Sequence, residues 1–263
     1  MAKILAGRSA VITGSTSGIG QAIARAYAAE GANIMLNGFG EAAAIESLRA
    51  GLAKDHGVKV QFHGADMSKP AEIRDLIAKA ESAFGAVDIL VNNAGIQHVA
   101  PIQDFPEERW DAIIAINLSS AFHATKAALP GMMKRRWGRI INIASAHGLV
   151  ASPNKSAYVS AKHGIIGFTK ATAVETAEHG IRSNAICPGF VHTPLVQKQI
   201  ADRAREAGVS EDKAARDIIL APQPTKEFVT VEQIAQTALF LVSPGADQTT
   251  GASFSIDGGW TAR

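Results

Sequence analysis

A doubly wound α/β domain on a seven-stranded parallel sheet is predicted by three observations. Seven short β-branched runs alternate with longer amphipathic segments, several of the runs are apolar throughout, and no linker or internal repeat breaks the order. Alternating strands and helices imply crossovers that leave the strands parallel. Strands apolar on both faces are what a sheet covered by helices on both sides requires. A chain of 263 residues suffices for one large domain with a substantial core, so the span 1–263 is expected to fold as one unit.

The first run, 9–13, enters Thr13-Gly14-Ser15-Thr16-Ser17-Gly18-Ile19-Gly20, and the apolar spacing then predicts a helix over 18–30. Glycines between a strand and a helix allow a tight turn and let phosphates approach the helix N-terminus. Strand 33–37 ends in Asn37-Gly38-Phe39-Gly40 and is followed by a helix over 41–56. Strand 58–63, helix 71–84 and strand 89–91 come next, the last running into Asn92-Asn93-Ala94-Gly95. A long helix is predicted over 107–134, where Lys134-Arg135-Arg136 complements the dipole at its end. Strand 139–143, helix 157–178 and strand 182–186 lead to Pro188-Gly189. Between 189 and 228 the rhythm stops: there is no strand, many charges, and a Pro222-Gln223-Pro224 stop. Two short helices there, about 190–225, would form a lid over a site; a surface excursion without a gating role is equally compatible. Helix 231–242 and strand 253–256 complete the pattern.

Composition excludes several classes of function. The net charge of +2 is too small to argue for nucleic acid or an anionic membrane as partner. The single cysteine, Cys187, rules out an intrachain disulfide and fits a reducing compartment. The eight histidines show no metal-ligand spacing, so no metal is expected. The start has no apolar core of secretory length and no uninterrupted apolar stretch reaches membrane-spanning length, so the cytoplasm is the expected location.

Chemistry is carried by Tyr158-Val159-Ser160-Ala161-Lys162, with Ser145 thirteen residues before the tyrosine. Residues four apart share a helical face, so the ammonium can lie beside the phenol. A free phenol titrates near ~10 and is a poor acid or base at neutral pH. A cation at ~4 Å is worth up to ~4 kcal/mol at an effective dielectric of ~20, enough to lower the phenol by roughly three units at ~1.36 kcal/mol each.

Taken in order, these motifs resemble the short-chain dehydrogenase/reductase family of the Rossmann type over essentially the whole chain. The resemblance rests on Gly14-x-x-x-Gly18-x-Gly20, Asp66 in Ala65-Asp66-Met67, Asn92-Asn93-Ala94-Gly95, Asn117, the Ser145/Tyr158/Lys162 set and Pro188-Gly189. It implies a nicotinamide dinucleotide held by Gly14, Thr16, Ser17, Gly18, Ile19, Gly20, Phe39, Asp66, Met67, Asn93, Ala94, Gly95, Tyr158, Lys162, Pro188, Gly189, Val191 and Thr193. Asp66 would contact the adenine, Asn93 would sit near the adenosine ribose, and Lys162 would hold the nicotinamide ribose. Thr193 would bind the carboxamide, a role compatible with capping the helix that Pro194 opens.

The same resemblance implies a catalytic set of Asn117, Ser145, Tyr158 and Lys162. Tyr158 would exchange the hydroxyl proton, Ser145 would bond the developing carbonyl oxygen, and Asn117 would support a water relay from Lys162. NAD is expected rather than NADP, because neither 15–17 nor 37–40 carries a cation for a 2′-phosphate.

Gln97, His147, Lys155 and Gln199 add two possible cations and two amides, a set suited to a small carboxylate. Trp260 would wall the opposite end. Read singly, Lys155 and Gln199 are equally compatible with solvated surface positions, and His147 with a satisfied loop histidine. The set is similar to that of family members that oxidise (R)-3-hydroxybutyrate to acetoacetate, and implies a small hydroxy-acid or keto-acid substrate. Alternatives on the same scaffold are a 3-oxoacyl thioester reductase, a sugar or polyol dehydrogenase, or a dinucleotide-binding protein without turnover. By the same resemblance the long helices 107–134 and 157–178 are expected to pack on a symmetry mate in a homotetramer, with 254–263 as a second contact.

Overall fold

Seven parallel strands lie in the order β3-β2-β1-β4-β5-β6-β7. They are β1 (Ser9–Ile12), β2 (Asn33–Asn37), β3 (Val60–His63), β4 (Ile89–Asn92), β5 (Gly138–Ile143), β6 (Ile181–Pro188) and β7 (Ser253–Ile256). The structure is a computed structural model and describes residues 3–262. Met1, Ala2 and Arg263 lie outside the described residues, so the expected contact over 254–263 is described only to Ala262.

Strand residues alternate between two cores. Ala10, Ile12, Ile34, Leu36, Ile89 and Val91 face one side, where they meet α1 (Gly18–Ala29), α2 (Ala42–His56) and α9 (Val231–Val242). Val11, Met35, Leu90 and Ile140 face the other, against α3 (Pro70–Phe84) and α5 (Ser120–Arg135). The central strands β1, β4 and β5 are buried throughout, the signature of a sheet covered on both faces. Local signals start and stop the helices. Pro70 opens α3, Gly85 closes it at φ 84°, Gly57 closes α2 at φ 69°, and Thr230 and Gln233 form a capping box on α9. The phenol of Tyr27 in α1 donates to the Ala238 carbonyl of α9 at 2.9 Å, joining the two helices on one face.

The helix predicted over 107–134 is not uniform. It runs as α4 (Glu107–Ile114), a π-turn (Ala115–Ser119) and α5. A π-turn needs a local reason, and Asn117 provides it. Its buried amide donates to the Ile96 carbonyl and accepts from the Ile96 N–H, both at 2.9 Å. The run Glu107–Arg135 is also long and apolar enough by length and composition to cross a membrane; here Ala121, Ala124, Ala128 and Met132 are buried in the domain.

The 21-residue α6 (Ser156–Thr176) follows β5 and packs Ile165 and Ile166 against Ala185 and Cys187 of β6. The excursion after β6 contains α7 (Pro194–Ala207), the short α8 (Glu211–Lys213) and a π-turn (Ala214–Ile219). These enclose a small core of their own around Val196, Ile200, Ala204, Ala214 and Ile219. Both ends of the excursion meet where Val191 bridges Val229.

Candidate active site

A cleft of about 560 Å³ opens at the carboxyl ends of β1, β4, β5 and β6. It lies where the strand order turns from β1 toward β2 on one side and β4 on the other, the place where doubly wound sheets bind ligands. Of the residues expected to form the site, all but Gly20 and Asn117 line this cleft.

The glycine-rich turn forms one end. Gly14 and Gly18 have φ of 62° and 54°, and a Cβ on Gly14 would stand 2.9 Å from the Ala94 backbone. Gly20 serves packing instead: a Cβ there would meet Asn93 Nδ2 and the Gly14 carbonyl, both at 2.5 Å. Asn93 is itself a pin, donating to the carbonyls of Thr13 and Gly14 at 2.9 Å each. Ser17 caps α1 without a side-chain bond, and no acidic residue sits in the first turn. The first N–H groups of α1 thus face the cleft ready for an anion. Glycines without room for a Cβ and an open helix N-terminus fit the pyrophosphate of a dinucleotide.

At the outer end, Asp66 accepts from the N–H and hydroxyl of Ser68 at 2.9 and 2.7 Å, which hold its carboxyl below the usual range. Thr16 donates to the Phe39 carbonyl at 2.9 Å, tying the turn to the loop after β2. Among the described residues, Lys155 and Lys162 are the only lysines or arginines lining the cleft, and both come from the α6 side.

The inner end carries the reactive groups. Ser145 ends β5 and caps a 3₁₀ turn (Ala146–Gly148), accepting from the His147 N–H at 3.2 Å. The Tyr158 hydroxyl is raised by burial and lowered by its hydrogen bond to Ser145, with burial the stronger. The phenol is therefore not depressed in this cleft as the spacing alone predicts. Lys162 Nζ lies 5.5 Å from the ring centroid and donates to the Ile143 carbonyl at 2.7 Å. Burial brings the Lys162 ammonium down to about 8, which keeps it charged at neutral pH.

Residues far apart in sequence converge beside Tyr158. Gln199 Nε2 of α7 donates to Gln97 Oε1 at 3.4 Å, a contact across 102 positions. Lys155 Nζ stands 5.6 Å from the Phe190 ring, and burial followed by the Arg203 charge lowers its ammonium. His147 is not the second cation expected of it: burial, then Lys155, take it down to about 4, so it is neutral. Trp260 packs edge-on against His147 at 4.8 Å and stacks on Phe190 at 5.3 Å with 8° between the planes. Phe190, between Pro188-Gly189 and the excursion, went unanticipated, because its partner lies at the far end of the sequence. Thr193 lines the cleft and caps α7, accepting from Val196 at 3.4 Å.

Gln223 is a second residue not anticipated. Fully buried, it accepts from the Phe190 N–H and donates to the Glu227 carbonyl at 2.7 Å, clamping both ends of the excursion. Gln223→Ala is expected to lower unfolding free energy by about 1–3 kcal/mol, the usual result of stranding a hydrogen-bond partner. Denaturant titration checks this, and an unchanged midpoint would show the clamp to be dispensable.

The short chain dehydrogenase family pattern matches residues 8–204. The chain belongs to the short-chain dehydrogenase family. Among curated family members, the D-beta-hydroxybutyrate dehydrogenase of Cupriavidus necator is 60% identical over 261 residues, covering 99% of this chain and 100% of that protein. The D-beta-hydroxybutyrate dehydrogenase of Rhizobium meliloti is 58% identical over 256 residues, 97% of this chain and 99% of that one. The crystal structure of a candidate gluconate dehydrogenase from Agrobacterium tumefaciens superposes with a TM-score of 0.89 at 31% identity, covering 100% and 99% of the two chains. Members of this family use a nicotinamide cofactor, and the cleft here fits one.

Proposed function

We propose that the chain interconverts (R)-3-hydroxybutyrate and acetoacetate with NAD as hydride carrier. The observation that carries this is the contact of Gln97 with Gln199 at 3.4 Å in the cleft that Lys155, Ser145, Tyr158 and Trp260 also line. Two amides and one ammonium match a carboxylate through charge-assisted bonds. The Phe190–Trp260 stack leaves a short apolar wall for a methyl group. The names of the relatives at 60% and 58% identity point to the same substrate.

When bound, the nicotinamide ring supplies the hydride acceptor. Tyr158 takes the hydroxyl proton in oxidation and returns it in reduction. Ser145 donates to the substrate oxygen as carbonyl character develops. Lys162 contributes a fixed positive charge under the phenol. Asn117 acts through the Ile96 backbone, holding the loop that carries Gln97. NAD is favoured over NADP because, among the described residues, no lysine or arginine lines the Phe39 end, where a 2′-phosphate would need one. The excursion 190–225 serves as the lid, bringing Gln199 to the substrate. A homotetramer is supported by exposed Trp110, Phe122 and Val174 on α4, α5 and α6. The cytoplasm remains the proposed location.

The decisive assay follows reduced cofactor by absorbance with (R)-3-hydroxybutyrate, its (S) enantiomer and 2-hydroxybutyrate, each with NAD and NADP. Turnover confined to the (R) acid with NAD is expected. No turnover with any hydroxy acid would discard the substrate reading and direct the search to thioesters and polyols.

A further inference from the structure

Among the described residues, three that are not glycine hold a left-handed backbone: Arg136, Asn154 and Lys226, at φ of 52°, 64° and 55°. Arg136 caps the C-terminus of α5, and Lys226 turns its ammonium onto the Leu220 and Ala221 carbonyls. Only Asn154 adjoins a residue that lines the cleft, and that neighbour is Lys155. We propose that Asn154 is a positioning residue: its left-handed turn sets the path of Lys155 into the cleft and, through one backbone bond, fixes the loop that carries Gln97. The two carboxylate partners then keep a set separation. The inference deepens the reading above and rests on its assignment of Gln97 and Lys155 to the substrate carboxylate.

The local sequence explains the conformation. Pro153 and Asn154 form a turn just before α6. Proline followed by asparagine suits a turn whose third residue needs a positive φ. Asparagine enters the left-handed region far more readily than most side chains, and a β-branched residue hardly at all. The Asn154 side chain is exposed, so what the residue supplies is the direction of the chain. Lys155 follows at φ −132° and ψ 33° as the N-cap of α6, and lines the cleft from there.

The same turn reaches the other loop. The Asn154 carbonyl accepts from the Ala100 N–H at 3.0 Å. Ala100 lies three positions after Gln97, while Ile96, just before Gln97, is held by both ends of the Asn117 amide. Gln97 therefore sits between two anchors, one on the π-turn and one on the turn that precedes Lys155. An anion shared by side chains on two loops is bound well only where their separation is set beforehand, because ordering loops on binding costs affinity. The bond from Ala100 to Asn154 sets it.

The test uses Asn154→Gly, which keeps the left-handed turn accessible, and Asn154→Val, which opposes it, in the full-length enzyme. Asn154→Val is expected to raise KM for (R)-3-hydroxybutyrate about five- to tenfold, part of the loss when a bond to a charged group goes altogether. Its kcat and NAD affinity are expected to stay within about twofold, the pattern of lost substrate binding alone. Asn154→Gly is expected to keep the KM of the unsubstituted enzyme, and Asn154→Ala, a milder change than valine, to fall between the two. Wild-type KM in Asn154→Val and Asn154→Ala, an equal rise in Asn154→Gly, or losses of kcat and NAD affinity that match the rise in KM would each overturn the proposal. Hydrogen exchange at the Ala100 amide gives a readout independent of turnover. Protection is expected in the unsubstituted protein and Asn154→Gly and its loss in Asn154→Val; equal protection in all three would overturn the coupling. Failure of the substrate reading would show separately, as unsubstituted protein inactive on 3-hydroxybutyrate while the exchange pattern holds.

Discussion

Tyr158→Phe is expected to lower kcat for hydroxybutyrate oxidation by about a hundred- to ten-thousandfold, the range for removing a general acid–base. The phenyl ring keeps the packing against His147, so cofactor affinity is expected to stay within a few-fold. A pH profile sharpens the result. Oxidation needs the phenolate, and burial holds the phenol above its ordinary value. In the neutral range the phenolate fraction therefore grows as pH rises, and kcat/KM for oxidation climbs with it. Reduction needs the protonated phenol and has no such rise. Tyr158→Phe should abolish the climb together with the rate. A variant that kept wild-type kcat, or its pH dependence, would remove Tyr158 from the proton transfer.

Lys155→Ala is expected to raise KM for 3-hydroxybutyrate roughly ten- to a hundredfold, since a bond to a charged group contributes about 1.5–3 kcal/mol. The ammonium lies beside Phe190, the charge of Arg203 in α7 repels it, and no carboxylate of the protein neutralises it among the described ion pairs. A substrate carboxylate meets an unspent charge. Cofactor affinity should not move, because Lys155 lies away from the glycine-rich turn. Substrate titrations of initial rate, with cofactor binding measured by fluorescence, separate the two. An unchanged KM would dismantle the carboxylate pocket while leaving the hydride chemistry intact.

Strand positions were legible in the sequence to within a residue or two, because fully buried strands such as Ile89–Asn92 and Gly138–Ile143 are written as apolar runs. The π-turn at Ala115–Ser119 was not, since it answers to Ile96, a backbone group on another loop. Most of the site was recognisable from motif order, yet the work of Gly20 and Asn93 was not: both shape the turn by contacts between β1 and β4. The charge of His147 and the direction of the Tyr158 shift depend on burial, a property of the folded molecule. Phe190 and Gln223 show the same limit, because their partners are set by the path of the excursion.

The pairing of α1 with α9 has a consequence for synthesis of the chain. The inner face of α1, with Tyr27 at its centre, is completed by Ala238, which lies 211 positions later. At the usual ~5–20 residues per second of translation, that gap lasts roughly ten to forty seconds. Throughout it, the nascent cofactor-binding half presents an uncovered apolar stripe outside the ribosome. Chaperone occupancy during elongation should therefore begin soon after α1 emerges and end once α9 has cleared the exit tunnel.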